Sequence, residues 1–161
     1  MDFEIRWATP KDIPAILQLI QELAVYEKEP DAVEINEATL LQYGFSEEAF
    51  FNCYVAEFRK EVIGMALFYP RFSTWKGKSI HLEDLIVKQK MRGKGVGRAL
   101  LDKVVAYAHQ QQLKRVEWVV LDWNTPAVEF YNSYGANVMQ EWNTVHLDEQ
   151  GIKNAIEKIN T

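Results

Sequence analysis

A glycine-rich segment in the second half of the chain separates a predicted strand from a predicted helix. Its sequence is Arg92-Gly93-Lys94-Gly95-Val96-Gly97-Arg98. The apolar stretch Ser79–Val87 precedes it, and apolar residues at helical spacing follow it over Gly95–Gln111. A helix that begins at such a turn offers backbone N–H groups and the positive end of its dipole to an anion. The segment therefore predicts a strand–turn–helix unit with an anion site at the start of the helix.

The spacing of these glycines excludes two common phosphate-binding loops. A dinucleotide fingerprint has the spacing G-x-G-x-x-G, whereas the spacing here is G-x-G-x-G. A P-loop closes with Gly-Lys-Ser/Thr, which this segment does not contain. Small residues let the backbone approach a phosphate closely, and Arg92, Lys94 and Arg98 add positive charge. The segment is therefore predicted to hold a nucleotide diphosphate through a different kind of loop.

Charge is separated along the chain, although the net charge is only −5. The stretch Glu27–Glu57 has eight acidic residues and one lysine, and the stretch Lys88–Arg115 has eight basic residues and one aspartate. The negative total argues against a general nucleic-acid binder, which needs a basic field. The separation is compatible with an anionic ligand at one block and a cationic ligand at the other, or with two solvated faces.

The apolar pattern predicts an α/β (α+β) fold in which one mixed sheet is flanked by helices. Because 161 residues suit one compact domain and no linker or repeat is visible, residues 1–161 are expected to form a single domain. Strands are predicted over Phe3–Ala8, Cys53–Phe58, Val62–Tyr69, Ser79–Val87 and Val116–Leu121, with a further strand pair near Asn137–Leu147. Helices are predicted over Pro10–Tyr26, Asn36–Tyr43, Gly95–Gln111, Thr125–Tyr134 and from Asp148 onward.

The sequence shows no pattern typical of a membrane, secreted or zinc-binding protein. Its longest apolar run, Val62–Tyr69, is far shorter than the roughly 20 residues of a membrane-spanning helix, and the N-terminus has no signal-peptide pattern. The single cysteine, Cys53, cannot form an internal disulfide. His81, His109 and His146 are dispersed without metal-ligand spacing and are predicted to be structural or surface residues. We therefore expect a cytoplasmic protein that binds no metal, membrane or nucleic acid.

Several segments together resemble the GNAT superfamily of N-acetyltransferases, and within it the diamine (spermidine/spermine) branch. The matching segments are Arg92-x-x-Gly95-x-Gly97, Glu22-Leu23-Ala24-x-Tyr26-Glu27, Trp75-x-Gly77-Lys78, Leu82-Glu83-Asp84, Trp123-Asn124-x-Pro126 and Phe130-Tyr131-x-x-x-Gly135-Ala136. The resemblance implies a central, mostly antiparallel mixed sheet with two splayed parallel strands. It also implies acetyl-CoA as co-substrate, an amine as acceptor and a homodimer.

The resemblance assigns roles to particular residues. Glu83 would act as the general base or hold the water that relays the proton. Tyr131 would protonate the departing thiolate, and Asn124 would face the same site as Tyr131. The coenzyme would contact the glycine-rich segment, the backbone of Leu85, Ile86 and Val87, and the residues Asn124, Thr125, Pro126, Ala127 and Tyr131. The amine acceptor would contact Tyr26, Glu27, Glu83, Glu117, Trp118 and Val119.

The chemistry of amine acetylation is consistent with these roles. An alkylammonium with a pKa near ~10.4 must lose a proton before it can attack a thioester, so a base is required. A glutamate within an apolar strand indicates a cleft, because burial without a partner is costly; the alternative is an exposed strand end. Strand alternation puts Glu83 and Asp84 on opposite faces, unless the bulge that the resemblance implies alters the count.

The acceptor remains open at this point. A small di- or polyamine fits the acidic block, whereas the same reaction class includes thialysine, other small amines and protein amines as acceptors. Vertebrate members of the branch carry basic residues where this chain has Asn132, Ser133 and Tyr134. An alternative hypothesis from a different functional class is an acyl-CoA-binding sensor without catalysis.

Overall fold

The computed structural model describes residues 2–159, and the chain divides into two compact units, Met1–Val119 and Val120–Thr161. Within the described residues the first unit contains a five-stranded sheet whose spatial order follows the sequence. Its strands are β1 (Glu4–Trp7), β2 (Asn52–Phe58), β3 (Glu61–Ser73), β4 (Gly77–Val87) and β5 (Val116–Glu117). Neighbours pair antiparallel except β4 and β5, which are parallel. The mixed, mostly antiparallel sheet predicted from the sequence is confirmed.

The turn between β2 and β3 explains how these strands pair. Arg59 and Lys60 both have positive φ, 51° and 66°. Two successive residues with positive φ make the turn whose twist matches that of antiparallel strands. The pairing begins at once on either side, with Phe58 opposite Glu61. The two strands predicted on either side of this turn are confirmed, and the hairpin carries β3 into the centre of the sheet.

Three helices accompany this sheet in the first unit: α1 (Ile13–Tyr26), α2 (Glu37–Phe45) and α3 (Val96–Gln110). The entry to α1 is fixed by Asp12, whose carboxylate accepts the backbone N–H of Thr9 at 2.7 Å and pairs with Arg6 at 2.8 Å. The apolar faces of the helices are buried, at Ile13, Ile16 and Leu19 in α1, at Leu40 in α2, and at Val96, Leu100, Leu101 and Val104 in α3. Burial of these faces holds the helices on the sheet.

Strand β5 is shorter than the predicted strand Val116–Leu121, because only Val116 and Glu117 pair, with Ile80 and His81. Two residues after His81, at Glu83, β4 contains a bulge, and a bulge changes the local twist and disrupts the ladder. An apolar run predicts burial but does not specify the length over which a neighbouring strand stays aligned. The position of the bulge accounts for the early end of the pairing.

The second unit contains two helices within its described residues, α4 (Thr125–Tyr134) and α5 (Glu149–Ile159). The strand pair predicted near Asn137–Leu147 is wrong, since this segment has no strand. Its large apolar side chains stay exposed, so no burial compensates for ordering them; they are Met139, Trp142, Val145 and Leu147. No helix within residues 2–159 has the length and apolarity needed to cross a membrane.

Candidate active site

A bulge in β4 determines which side chains of that strand face the candidate site. Leu67 pairs with Asp84, but the next residue, Phe68, pairs with Leu82, so Glu83 is an extra residue in β4. Residues directly opposite each other in an antiparallel pair project to the same face, which puts Asp84 beside Leu67. Glu83 and Asp84 both line one pocket. The expectation from plain alternation, that they lie on opposite faces, is therefore wrong at this bulge.

The pocket is a cleft of about 430 Å³ between α1, α2 and the two central strands. Much of its wall is aliphatic or aromatic, as in small-molecule sites generally; these residues include Ile20, Leu23, Ala24, Leu40, Phe51 and Leu67. Its acidic residues are Glu27, Glu34, Glu83 and Asp84. An apolar wall with several carboxylates fits an aliphatic ligand that carries positive charge.

Electrostatics in the pocket are dominated by Asp84. Burial, reinforced by the charges of Glu83 and Glu27, raises the pKa of Asp84 to about 7. Burial also raises the pKa of Glu27 above its usual range. A partly buried carboxylate without a cation beside it disfavours its own ionisation, and a bound ammonium would supply that cation. A cationic ligand would therefore reduce the energetic cost of ionised carboxylates in this pocket.

Glu83 is held from the side of the sheet. The hydroxyl of Tyr69 donates to Glu83 Oε2 at 2.9 Å, and His81 Nε2 lies 3.6 Å from the same oxygen. Burial, with Glu83 as the second cause, raises the pKa of Tyr69 to about 12, so its hydroxyl keeps its proton and remains a donor. About half of the Glu83 side chain, 51%, is exposed. Glu83 is thus accessible and oriented, as a general base must be.

Glu117 is engaged by two arginines. Its Oε1 pairs with Arg71 Nη1, and its Oε2 lies 3.0 Å from Arg115 Nη2. The pocket described above is lined by neither Glu117 nor its successors Trp118 and Val119, as far as the described residues show. The two guanidinium groups compensate the negative charge of Glu117. The structure thus brings Glu27 and Glu83 together in one pocket and leaves Glu117 outside it.

The glycine-rich turn has the conformation that its composition predicts. Gly93 and Gly95 have φ values of 72° and 82°, in the left-handed region where side chains are strained. The first intrahelical bond of α3 runs from the Ala99 N–H to the Gly95 carbonyl at 3.0 Å. The backbone N–H groups that come before Ala99 are therefore part of the turn rather than of the hydrogen-bonded helix. A Cβ on Gly97 would meet Val87 at an ordinary 3.7 Å, so packing alone does not require a glycine there. These features fit a diphosphate.

Arg92 connects this turn to the acceptor-binding pair expected at the end of α1. Its Nε donates to the Val87 carbonyl at 3.0 Å. Its guanidinium carbon lies 4.9 Å from the centroid of the Tyr26 ring, a cation–π distance. Tyr26 is the last residue of α1 and Glu27 follows it. The basic turn and the acidic pocket therefore share a boundary at Arg92 and Tyr26.

The edge of β4 opens beyond its contact with β5. His81 and Glu117 are the last residues that pair, and no strand within residues 2–159 pairs with this edge over Leu82–Val87. The other edge of β4 is paired with β3 as far as Val87, opposite Gly64. Leu85, Ile86 and Val87 therefore lie where an extended ligand can use backbone hydrogen bonds. This opening corresponds to the splayed parallel strands that were expected.

The remaining predicted site residues belong to the second unit. Asn124 precedes α4 and its carbonyl accepts the N–H of Val128 at 3.0 Å, whereas its side chain makes no cap hydrogen bond. Thr125, Pro126 and Ala127 form the first turn of α4. Tyr131 is buried, with its ring 5.3 Å from that of Phe130. Two helical turns separate Asn124 from Tyr131, which suits one common face, but their roles stay predictions.

Sequence reasoning missed three neighbours of Glu83 and Glu117. Tyr69 and His81 are opposite each other in the β3–β4 pair, with ring centroids 5.3 Å apart, and Arg71 follows along the same strand. The register of this hairpin was the only signal for them, and the bulge shifts that register. No group of three His, Cys, Asp or Glu residues in the described part of the chain could hold a metal ion.

Comparison with known proteins agrees with this geometry. The chain matches the acetyltransferase (GNAT) family over residues 13–136. It is 38% identical over 160 residues to a thialysine N-epsilon-acetyltransferase of Bos taurus, covering 92% of this chain and 94% of that relative. It is 36% identical over 141 residues to the human spermidine/spermine N(1)-acetyltransferase-like protein 1, covering 83% of this chain but 20% of that longer protein.

A solved structure has the same fold. It is an integron cassette protein from the mobile metagenome of V. cholerae, which superimposes with a TM-score of 0.80 at 25% identity and covers 98% of this chain and 99% of its own. The family match extends over most of the chain. Members of that family use acetyl-CoA as co-substrate. The chain therefore belongs to the GNAT family of acetyltransferases and is an acyl-transferring enzyme.

Proposed function

We propose that the protein transfers an acetyl group from acetyl-CoA to a primary amine of a small di- or polyamine, by direct attack within a ternary complex. The observation that carries this proposal is the pocket that Glu27, Glu83 and Asp84 line together. Its aliphatic wall suits a hydrocarbon chain, and its carboxylates suit ammonium groups. The acceptor end of the site is thus acidic, and the coenzyme end is basic.

The coenzyme is held by backbone groups in this proposal. The turn Arg92–Arg98 and the N–H groups at the start of α3 receive the diphosphate, with positive charge from Arg92, Lys94 and Arg98. Leu85, Ile86 and Val87 pair with the extended pantetheine arm along the open edge of β4. The resemblance to the diamine branch assigns further coenzyme contacts to Asn124, Thr125, Pro126 and Ala127 at the start of α4. Acetyl-CoA supplies the activated acyl group as a thioester.

Two residues handle protons. Glu83 accepts a proton from the acceptor ammonium, directly or through a water, which frees the nitrogen lone pair for attack. Tyr131, with Asn124 on the same face of α4, donates a proton to the departing sulfur. Tyr69 supports Glu83, because its hydroxyl donates to Oε2 at 2.9 Å and leaves Oε1 for the acceptor.

A second candidate acceptor is a diamino acid such as thialysine. This candidate is favoured by the relative that is 38% identical over 92% of this chain, which is a thialysine N-epsilon-acetyltransferase. Thialysine also presents a primary amine on a short aliphatic chain, so the same base and pocket would serve it. It differs from a polyamine by a carboxylate, which the acidic pocket would repel.

A panel of acceptors distinguishes these candidates. Purified protein, acetyl-CoA and one amine at a time are followed by thiol release, with spermidine, thialysine, lysine and a neutral amine in the panel. We expect kcat/KM to be highest for spermidine. A higher value for thialysine would select the second candidate. Tight CoA binding without turnover on any amine would reject both and favour an acyl-CoA sensor.

We also propose that residues 1–161 work as one acetyltransferase domain, that the enzyme is a homodimer, and that it acts in the cytoplasm. The resemblance to the diamine branch supports a dimer. Sedimentation equilibrium tests it, since a monomer mass at assay concentrations would reject it. Fractionation of the source cells tests the compartment.

A further inference from the structure

Next to Glu83 lies a cluster of polar side chains, His81, Arg71 and Glu117, that do not line the pocket and that the proposed reaction does not use. His81 is its centre and is 9% exposed. Its Nε2 faces Glu83 at 3.6 Å, and its Nδ1 faces Glu117 at 3.6 Å. These distances are longer than hydrogen bonds but within ion-pair range. One imidazole thus stands between two carboxylates.

The arginine of this cluster indicates which nitrogen carries the proton. Arg71 Nη1 lies 3.4 Å from His81 Nδ1 and also pairs with Glu117. Guanidinium groups only donate hydrogen bonds, so this contact favours Nδ1 as the acceptor. We therefore assign the proton of a neutral His81 to Nε2, the nitrogen that faces Glu83.

We propose that His81 is a positioning residue for the base Glu83: its Nε2 edge lies 3.6 Å from Oε2 and orients the carboxylate electrostatically, and Arg71 and Glu117 orient the imidazole from its other side. This inference rests on the proposed function, because it assumes that Glu83 takes the proton of the acceptor. Tyr69 donates to the same Oε2 from β3. With Oε2 hydrogen-bonded by Tyr69 and faced by His81, Oε1 is the oxygen that meets the ammonium or the water.

The charge of His81 gives the proposal a pH dependence. Burial lowers the pKa of His81, Glu83 raises it and Arg71 lowers it, with burial the largest cause. The groups around it are Tyr69 and Arg71 on β3, Glu83 on β4, Glu117 on β5 and Arg115 just before β5. At neutral pH the imidazole is neutral, and its Nε2 edge faces Glu83. In acid it becomes a cation that pairs with Glu83 and competes with the acceptor ammonium.

Two amide substitutions separate the two nitrogens. In His81→Gln the terminal amide reaches the position of Nε2, whereas in His81→Asn it reaches only that of Nδ1. We expect His81→Asn to lower kcat at least tenfold with spermidine, and His81→Gln to stay within about threefold of the parent, with unchanged CoA affinity in both. His109→Gln, the same change at an exposed position of α3, is the matched control. Equal kcat values for the Asn and Gln variants would overturn the proposal.

The pH profile gives a readout that a merely structural histidine would not change. Because His81→Gln cannot become a cation, the acid limb of kcat/KM should move to lower pH in this variant. An acid limb that stays in place would contradict the proposal. Melting temperatures of all variants report whether lost activity reflects unfolding.

An experiment without turnover keeps this inference apart from the proposed function. The chain has three histidines, and the NMR signal of His81 is the one lost in His81→Gln. Its titration should shift to lower pH in Glu83→Gln, and its nitrogen shifts should show the Nε2–H tautomer. If both NMR results are obtained while no amine is acetylated, the proposed function is wrong but the interaction of His81 with Glu83 is supported. If amines are acetylated and neither holds, the inference is wrong.

Discussion

Asp84→Asn isolates the energetic cost of placing a carboxylate in the acceptor pocket. Burial, with Glu83 and Glu27, raises the pKa of Asp84 from 3.8 to about 7. A carboxyl group whose pKa is raised in the folded state destabilises the fold where the unfolded chain would be ionised. The penalty therefore grows from about pH 4 to about pH 7 and is constant above. At about 1.4 kcal/mol per pKa unit it reaches about 4 kcal/mol, as an upper value.

Thermal melts of the parent and of Asp84→Asn, at about pH 5 and about pH 8.5, measure this penalty. At the higher pH the variant should be more stable by up to about 4 kcal/mol, a rise in Tm of about 8 °C or more for a chain of this size. At the lower pH the same linkage predicts roughly a third of that gain. Asp2→Asn, the same change at an exposed position, should alter neither value. A gain that is equal at the two pH values would refute the reasoning.

Acceptor binding should reverse the shift. An ammonium beside Asp84 favours the ionised carboxylate, so spermidine binding near pH 7 should release protons from the pocket. Calorimetry in two buffers with different ionisation enthalpies measures this release. Asp84→Asn should release fewer protons, and identical release from the two proteins would place the titrating group elsewhere.

Three further predictions concern other parts of the chain. Tyr131→Phe should lower kcat by at least tenfold with little loss of CoA affinity, and equal losses would make Tyr131 a binding residue. Glu27→Gln should raise KM for doubly charged acceptors several-fold more than Glu29→Gln, its matched control outside the pocket, and an unchanged KM would remove the electrostatic argument. The hydrogen-bonded ion pair with Arg6 lowers the pKa of Asp12 to about 2. Asp12→Asn should therefore lower the free energy of unfolding by about 2 kcal/mol at pH 7, as measured by urea unfolding. That cost should fade as pH drops from about 4 towards 2, and a constant cost would contradict the charge mechanism.

Local sequence signals predicted most of the elements correctly. The helix that follows Gly95 and the helix that ends before Gly135 both depend on backbone preferences of a few adjacent residues. Such preferences are present in the sequence itself, and the structure has each element where it was expected. The strand pair near Asn137–Leu147 failed because a strand also needs a partner, which no local pattern specifies.

The candidate site was predictable only in part. Tyr26, Glu27 and Glu83 were found through their motifs, and Glu27 and Glu83 do line one pocket. Plain alternation put Glu83 and Asp84 on opposite faces, and the bulge that the resemblance implied brings both into one pocket. The pairing of Glu117 with Arg71 could not be predicted either, because Arg71 lies 46 residues earlier in the chain. Contacts of that separation depend on the register of the whole sheet.

The extra residue in β4 also shows how little separates this sheet from a continuous one. If position 83 were deleted, Leu67 would still lie opposite Asp84 and Phe68 opposite Leu82, so every other partner in the ladder would be kept. The strand would lose its bulge and could pair further with β5, which would shorten the unpaired edge of β4 over Leu82–Val87. In this architecture, one extra residue in a strand makes the difference between a fully paired sheet and a sheet with an edge that is open to a ligand.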